Sequence, residues 1–313
     1  MQTGTINGVA LPVSKLVLGA MVVSSEDIEH CYAMLDAFTE AGGNAFDVAY
    51  IYGGGTAEKG LGAWMKTRGN REKVVILGKG AHPDASGDKV NPAAIASDLS
   101  TSLERLQTDY IDLYLLHRDD VKVPVGELVD CLDAHRAAGL IRAYGGSNWT
   151  TKRIQEANEY AAANGKMPFV ASSPHIGLGH VKEEMWGGCL TATKEDLAWH
   201  ERHQFPALPW SSQDSGFFTG RYSPEVHDNA DVERVYYSAD NWKRLDRARE
   251  LGLKKQATAN QVALAYVMSM PFPIFPIVGP RKLTELESTL PALNVALSAD
   301  ERKYLNLETD RLS

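Results

Sequence analysis

Asp47, Tyr52, Lys79 and His117 are residue types that can hold or move a proton, and each falls at or just beyond the end of an apolar stretch. Asp47 closes NAFD at 44–47, with Tyr52 five residues on; Lys79 closes VVILGK at 74–79 and His117 closes IDLYLLH at 111–117. Side chains at the ends of successive buried strands can converge on one pocket. A phenol, with a reference pKa near ~10, is a poor acid at neutral pH unless its phenolate is stabilised, and an ammonium within about 4–6 Å does that. Lys79 is the candidate ammonium, and Asp47 is the counter-charge that keeps it protonated in a partly dry site. His117 then hydrogen-bonds a substrate oxygen held between itself and Tyr52. Any one of these residues alone reads as structural, but four such types on three consecutive units read together as a site.

The elements that must position them alternate in type. Strand-like apolar runs occur at Leu16–Gly19, Asn44–Asp47, Val74–Lys79, Ile111–His117, Arg142–Asn148, Phe169–Pro174, Ala207–Ser211 and Ile274–Gly279. Helical patterns separate most of them, which is the mark of βα units around a parallel sheet. Eight repeats in 313 residues predict one closed (β/α)8 TIM barrel spanning 1–313, in the α/β class. The spacing of Ile28, Cys31, Tyr32, Leu35 and Phe38 predicts a helix capped by Ser24 or Ser25 and stopped at Gly42-Gly43. Asn91 and Pro92 begin another, with Ile95, Leu99, Leu103 and Leu106 as its buried stripe. Further helices are predicted at about 126–138, 151–163, 194–202, 240–251, 258–270 and 283–293. Around Asn7-Gly8 the opening segment reads as a β-hairpin that caps the barrel floor, and 220–237 reads as a polar, irregular insertion.

Composition excludes several classes. A net charge of −8 without a basic stripe argues against nucleic acid as a partner. No apolar run approaches the length of a membrane span and the start lacks signal-peptide features, so a cytoplasmic location is expected. Cys31, Cys131 and Cys189 are widely spaced and read as reduced packing residues. No histidine–carboxylate spacing suggests a metal. No helix face is uniformly apolar, which leaves the oligomeric state open.

The motifs resemble one family over nearly the whole chain. Asp47-Val-Ala-Tyr-Ile-Tyr52-Gly followed by EKGL at 58–61, the strand ending in Lys79, YIDLYLLH at 110–117 and IRAYGGSN at 141–148 are similar to the aldo-keto reductase pattern, as are GFFTGRY at 216–222 and IVGPRKLTELESTL at 277–290. The resemblance implies a barrel that binds NADPH, or NADH, without a Rossmann domain and reduces an aldehyde or ketone. Tyr52 would be the general acid, Lys79 and Asp47 its tuning partners, and His117 the orienting group. Ser147 and Asn148 match the pair that holds the nicotinamide amide. Ser211, Ser212, Gln213 and Ser215 lie in the loop matched to the pyrophosphate, and Gly279, Arg281, Glu285 and Thr289 in the segment matched to the adenosine 2′-phosphate. Three departures stand out. Glu285 would oppose a 2′-phosphate, Thr289 replaces an Asn, and Ser172-Ser173-Pro174-His175 stands where a Gln and a stacking Tyr are usual, with His175 or Trp210 as substitutes. Arg118 and Asp119 beside His117 hint at a polar, sugar-like substrate. Two alternatives remain: a nicotinamide-binding redox sensor acting on a partner, and a lyase using Lys79 as a Schiff base.

Overall fold

The computed structural model describes residues 1–312 apart from Ser86. Strands β3 (Val17–Gly19), β4 (Ala45–Asp47), β5 (Val75–Gly80), β6 (Ile111–Leu116), β7 (Ile141–Ser147), β8 (Ser172–Ser173) and β9 (Ile277–Val278) form one parallel sheet in the order β8-β7-β6-β5-β4-β3-β9. The gap between β8 and β9 is closed by 207–210. Ala207 bridges in parallel to Ser172 on one side and to Ile274 on the other. Leu208 N–H donates to Ser172 O at 2.8 Å and Ile277 N–H to Pro209 O at 2.9 Å. All eight expected runs therefore serve as barrel staves. The hairpin of β1 (Thr3–Gly4) and β2 (Val13–Ser14) pairs at only two positions around a long loop, with Asn7-Gly8 as a turn within it. Its Ile6 packs among the barrel's inner residues and closes the floor.

Strand parity decides which side chains reach the barrel interior, because successive residues point to opposite faces. Ala45, Val75, Leu77, Leu113, Leu115 and Ala143 belong to the inner cluster, whereas Phe46, Ile76, Tyr114, Leu116 and Tyr144 pack outward beneath the helices. Two residues beyond the last inner apolar position stand Asp47, Lys79 and His117; Ser147 lies four beyond Ala143. The polar residues thus form the top layer of a stack whose lower layers are aliphatic.

The helices α1 (Ile28–Glu40), α2 (Thr56–Arg68), α3 (Pro92–Leu106), α4 (Val125–Ala137), α5 (Thr151–Ala163), α6 (Lys194–His203), α8 (Ala239–Lys255), α9 (Ala259–Met268) and α10 (Leu283–Thr289) cover this sheet and its extensions. Asn91 caps α3 as expected, its side chain accepting the Ala94 N–H. The cap of α1 is Asp27, not Ser24 or Ser25: the Asp27 side chain accepts the His30 N–H, while Ser24 Oγ takes that of Glu26. The insertion at 220–237 is not wholly irregular. Asn229 caps a short α7 (Ala230–Tyr236) that buries Val232, Val235 and Tyr236. The helix predicted to run to 293 is α-helical only to Thr289, and Pro291, with no N–H to donate, sits in the tighter turn that follows. The C-terminal α11 (Ala299–Leu305) was not anticipated, although Ser298 and Glu301 form a capping box that its sequence spells out. Among the described residues, no helix is long and apolar enough to cross a membrane.

If Ile6 closes the floor, Ile6→Ala should destabilise the fold by about 2–4 kcal/mol in urea unfolding and leave ligand binding at the far end unchanged. A loss below about 0.5 kcal/mol would mean that the hairpin lies on the barrel without sealing it.

Candidate active site

The three strand ends deliver their side chains to one point. Asp47 and Lys79 are each 2% exposed, and the Lys79 ammonium donates directly to Asp47 Oδ1. The same Nζ lies 3.3 Å from the Tyr52 hydroxyl. Tyr52 reaches that point because the chain leaves β4 in register with β5: Val48 N–H donates to Leu77 O and Tyr50 N–H to Lys79 O, at 2.9 and 2.8 Å. Gly53 and Gly54, with φ of 57° and 62°, then turn the chain into α2 through backbone that other residues adopt at a cost. The His117 ring stands edge-on to Tyr52, with centroids 5.8 Å apart, and His82 packs edge-on against it at 4.9 Å.

The protonation states follow from burial and charge. Burial opposes the Lys79 ammonium, but the charges of Asp47 and of the Tyr52 phenolate outweigh it, so the lysine pKa is raised. Burial pushes the Tyr52 phenol up, the Lys79 ammonium pulls it part of the way back, and the net direction is upward. The phenol therefore carries its proton at neutral pH, where sequence reasoning stressed only the lowering by Lys79. Burial first, then the charges of Lys79 and Arg118, holds the His117 imidazole well below its ordinary value. His117 is neutral, and its Nδ1 is buried without a hydrogen-bond partner.

Ser147 and Asn148 lie beside this group, already bonded to the protein. Ser147 Oγ donates to Ser173 O at 3.0 Å. Asn148 Nδ2 lies 3.2 Å from both His117 O and Ser147 Oγ. Its Oδ1 accepts from Leu190 N–H and from the Trp210 indole, each at 3.0 Å. Trp210 is thus tied to the site through Asn148. His175 is not an open platform: it is 1% exposed, 5.0 Å from the Trp210 ring and 3.4 Å from Asp214 Oδ1. Sequence reasoning missed this buried partnership of His175, Asp214 and Tyr236, whose members are 61 residues apart at the widest hydrogen bond. Asp119 also turns away from the pocket, paired with Arg153 at 3.2 Å.

The loop after Trp210 bends through three consecutive left-handed residues, Asp214, Ser215 and Gly216, with φ of 50°, 53° and 80°. Ser211 and Ser215 face each other at 3.3 Å, and Ser215 is exposed. Ser212 is buried and donates to Ile277 O, so it braces the loop from behind. Gln213 Nε2 reaches Thr289 Oγ1 at 3.5 Å, and Thr289 is itself buried and bonded to Glu285 O. Gly279 and Arg281 are exposed, and Glu285 accepts the Arg281 amide at 2.7 Å. Among the described residues, no three His, Cys, Asp or Glu side chains cluster as a metal site.

A family model described as the aldo/keto reductase family matches residues 15–307. The chain belongs to the aldo/keto reductase family. Among curated family relatives, it is 29% identical to an NADP(+) aryl-alcohol dehydrogenase of Phanerodontia chrysosporium, covering 96% of this chain and 83% of that protein. It is 30% identical to norsolorinic acid reductase A of Aspergillus parasiticus, covering 94% and 77%. A solved thermostable aldo-keto reductase, in complex with the inhibitor epalrestat, superposes with a TM-score of 0.77 at 21% identity and covers 99% of this chain and all of its own. That likeness speaks for the barrel fold alone.

A histidine whose folded pKa is depressed stays neutral while the unfolded chain binds a proton, so stability is lost as pH falls below the ordinary imidazole value of about 6.5. NMR of the His117 imidazole should show no titration across neutral pH. A midpoint at or above that ordinary value would contradict the assigned burial.

Proposed function

We propose that this chain reduces an aldehyde or ketone to an alcohol with NADPH as the cofactor, NADH being the weaker choice, and that Asp47, Tyr52, Lys79 and His117 are its catalytic set. The observation that carries this reading is the buried contact of one lysine with both a carboxylate and a phenol. The residues present fit a dinucleotide. The loop after Trp210 turns through left-handed residues at 214–216, with the Asp214 and Gly216 amides closed onto Ser211 O and Gln213 O and with Ser215 exposed. Gly279 is exposed at the end of β9, with Arg281 beside it. When bound, the cofactor would supply the hydride.

The chain's own residues would supply the rest. Tyr52 donates its phenolic proton to the carbonyl oxygen, and the Lys79 ammonium stabilises the phenolate left behind. Asp47 keeps Lys79 charged. The neutral His117 imidazole donates a hydrogen bond to the same oxygen and so fixes the angle at which the carbonyl lies. Ser147 and Asn148 would hold the nicotinamide amide, each exchanging an internal bond to do so. Gln213, Ser211 and Ser215 would border the pyrophosphate, with Ser212 and Thr289 as supports. Arg281 would face the 2′-phosphate, while Glu285, folded back onto the Arg281 amide, sets a negative charge beside it. The net charge of −8 supports a small-molecule substrate over nucleic acid. We take residues 1–313 as one domain working in the cytoplasm.

Tyr52→Phe should retain NADPH binding by fluorescence titration and lose roughly 100-fold or more in turnover of aldehydes; undiminished turnover would remove Tyr52 from its role. Glu285→Gln should tighten NADPH binding roughly two- to fivefold and leave NADH binding unchanged. An equal effect on both cofactors would place Glu285 away from the 2′-phosphate.

A further inference from the structure

Arg118 follows His117 directly, and its guanidinium is pinned at the mouth of the site rather than directed to solvent. One terminal nitrogen donates to His117 O at 2.9 Å and the other lies 3.2 Å from Cys189 Sγ. The Trp149 indole holds the Arg118 carbonyl at 3.0 Å, fixing the backbone from the opposite side. Of the other half-buried arginines, Arg71 holds Asp112 and Arg105 holds Glu58, whereas Arg244 and Arg302 bond the neutral oxygens of Asn241 and Ser269; neither of these two adjoins the reacting groups as Arg118 adjoins His117. Arg118 holds no carboxylate among the described residues. Glu184, on the loop that carries Cys189, turns its carboxylate to the Gly188 amide at 2.9 Å. The Arg118 charge nevertheless bears on Tyr52, His82 and His117, lowering all three.

A half-buried cation that stands directly beside the reacting groups and holds no carboxylate of its own is free to take one from a substrate. A guanidinium presents paired N–H groups that match a carboxylate, and such charge-assisted bonds select strongly for a planar anion. The nearby surface is aromatic. Trp186, 51% exposed, lies 5.8 Å from Trp210, which in turn bonds Asn148. We infer that Arg118 is a specificity-determining residue, and that the substrates this site favours are aldehydes or ketones with an apolar or aromatic body and a carboxylate. The carboxylate would sit on Arg118 while the carbonyl lies between Tyr52 and His117. This rests on the carbonyl-reductase reading above and adds the substrate class to it.

The test compares 4-carboxybenzaldehyde with its neutral methyl ester, which share a ring and a reacting carbonyl, using the full chain and NADPH. Wild type should favour the acid in kcat/KM. In Arg118→Gln, the ratio of acid to ester should fall roughly ten- to hundredfold, mainly through KM for the acid. Arg118→Lys, which keeps the charge but not the fork, should give an intermediate ratio and serves if the glutamine variant fails to fold. Changes that Arg118 makes through the pKa of His117 or Tyr52 act on both substrates alike and leave the ratio unmoved. A ratio unchanged within about twofold in both variants overturns the inference and leaves the reductase reading standing. Failure of wild type to reduce either compound, or any other carbonyl, defeats the reductase reading itself.

Discussion

An ammonium taken out of water must be paired or give up its proton, and in this fold that requirement falls on Lys79. Its whole side chain is sunk into the barrel, where an unpaired charge would cost several kcal/mol. Asp47, from the neighbouring strand, is the only charged group in contact with it among the described ion pairs. That pairing fixes the register of β4 against β5 at the top of the barrel, Asp47 opposite Leu77 and Gly78 to Gly80 opposite β6. It also leaves a fixed positive charge on which the Tyr52 hydroxyl rests. The chemistry proposed for the site is a consequence of this one neutralised pair and of the phenol laid against it.

The pair could not form without the parity of the strands. A shift of one residue in any of β4, β5 or β6 would turn the polar side chain outward beneath the helices and bring an apolar one in. The aliphatic layers below, Ala45, Val75, Leu77, Leu113 and Leu115, hold the phase, since each is wholly buried in the barrel interior. The floor hairpin seals that column from the other end. Fold and site are therefore linked by packing: the interior layers that stabilise the barrel also set the height and direction of the groups that ionise above them.

This logic was legible in the sequence because it is periodic. Each apolar run ending in Asp47, Lys79 or His117 announced both a stave and the residue at its mouth, and the same alternation gave all eight staves. What could not be read depended on contacts between distant segments. The exchange of Ser24 for Asp27 as a cap turns on where one side chain points. The burial of His175 depends on Asp214, in the loop after Trp210, and on Tyr236, in α7, both far along the chain, and the removal of Asp119 from the pocket depends on Arg153. The short α7 spans only seven residues and is masked in the sequence by the polar residues that precede it. Ser212 and Thr289 carried the right residue types for a phosphate-facing edge, yet their hydroxyls bond inward, an orientation that spacing does not encode.

The central claim is that the Lys79–Asp47 pair sets the acidity of Tyr52. Its most direct test is the phenol titration of Tyr52, obtained by ultraviolet difference between each protein and its Tyr52→Phe counterpart, in wild type and in the double variant Asp47→Asn/Lys79→Met. The double variant removes both charges without leaving either buried alone. Because the ammonium lowers the phenol more strongly than the carboxylate raises it, the midpoint should move to higher pH in the double variant. An unchanged midpoint, or one at lower pH, would contradict the account.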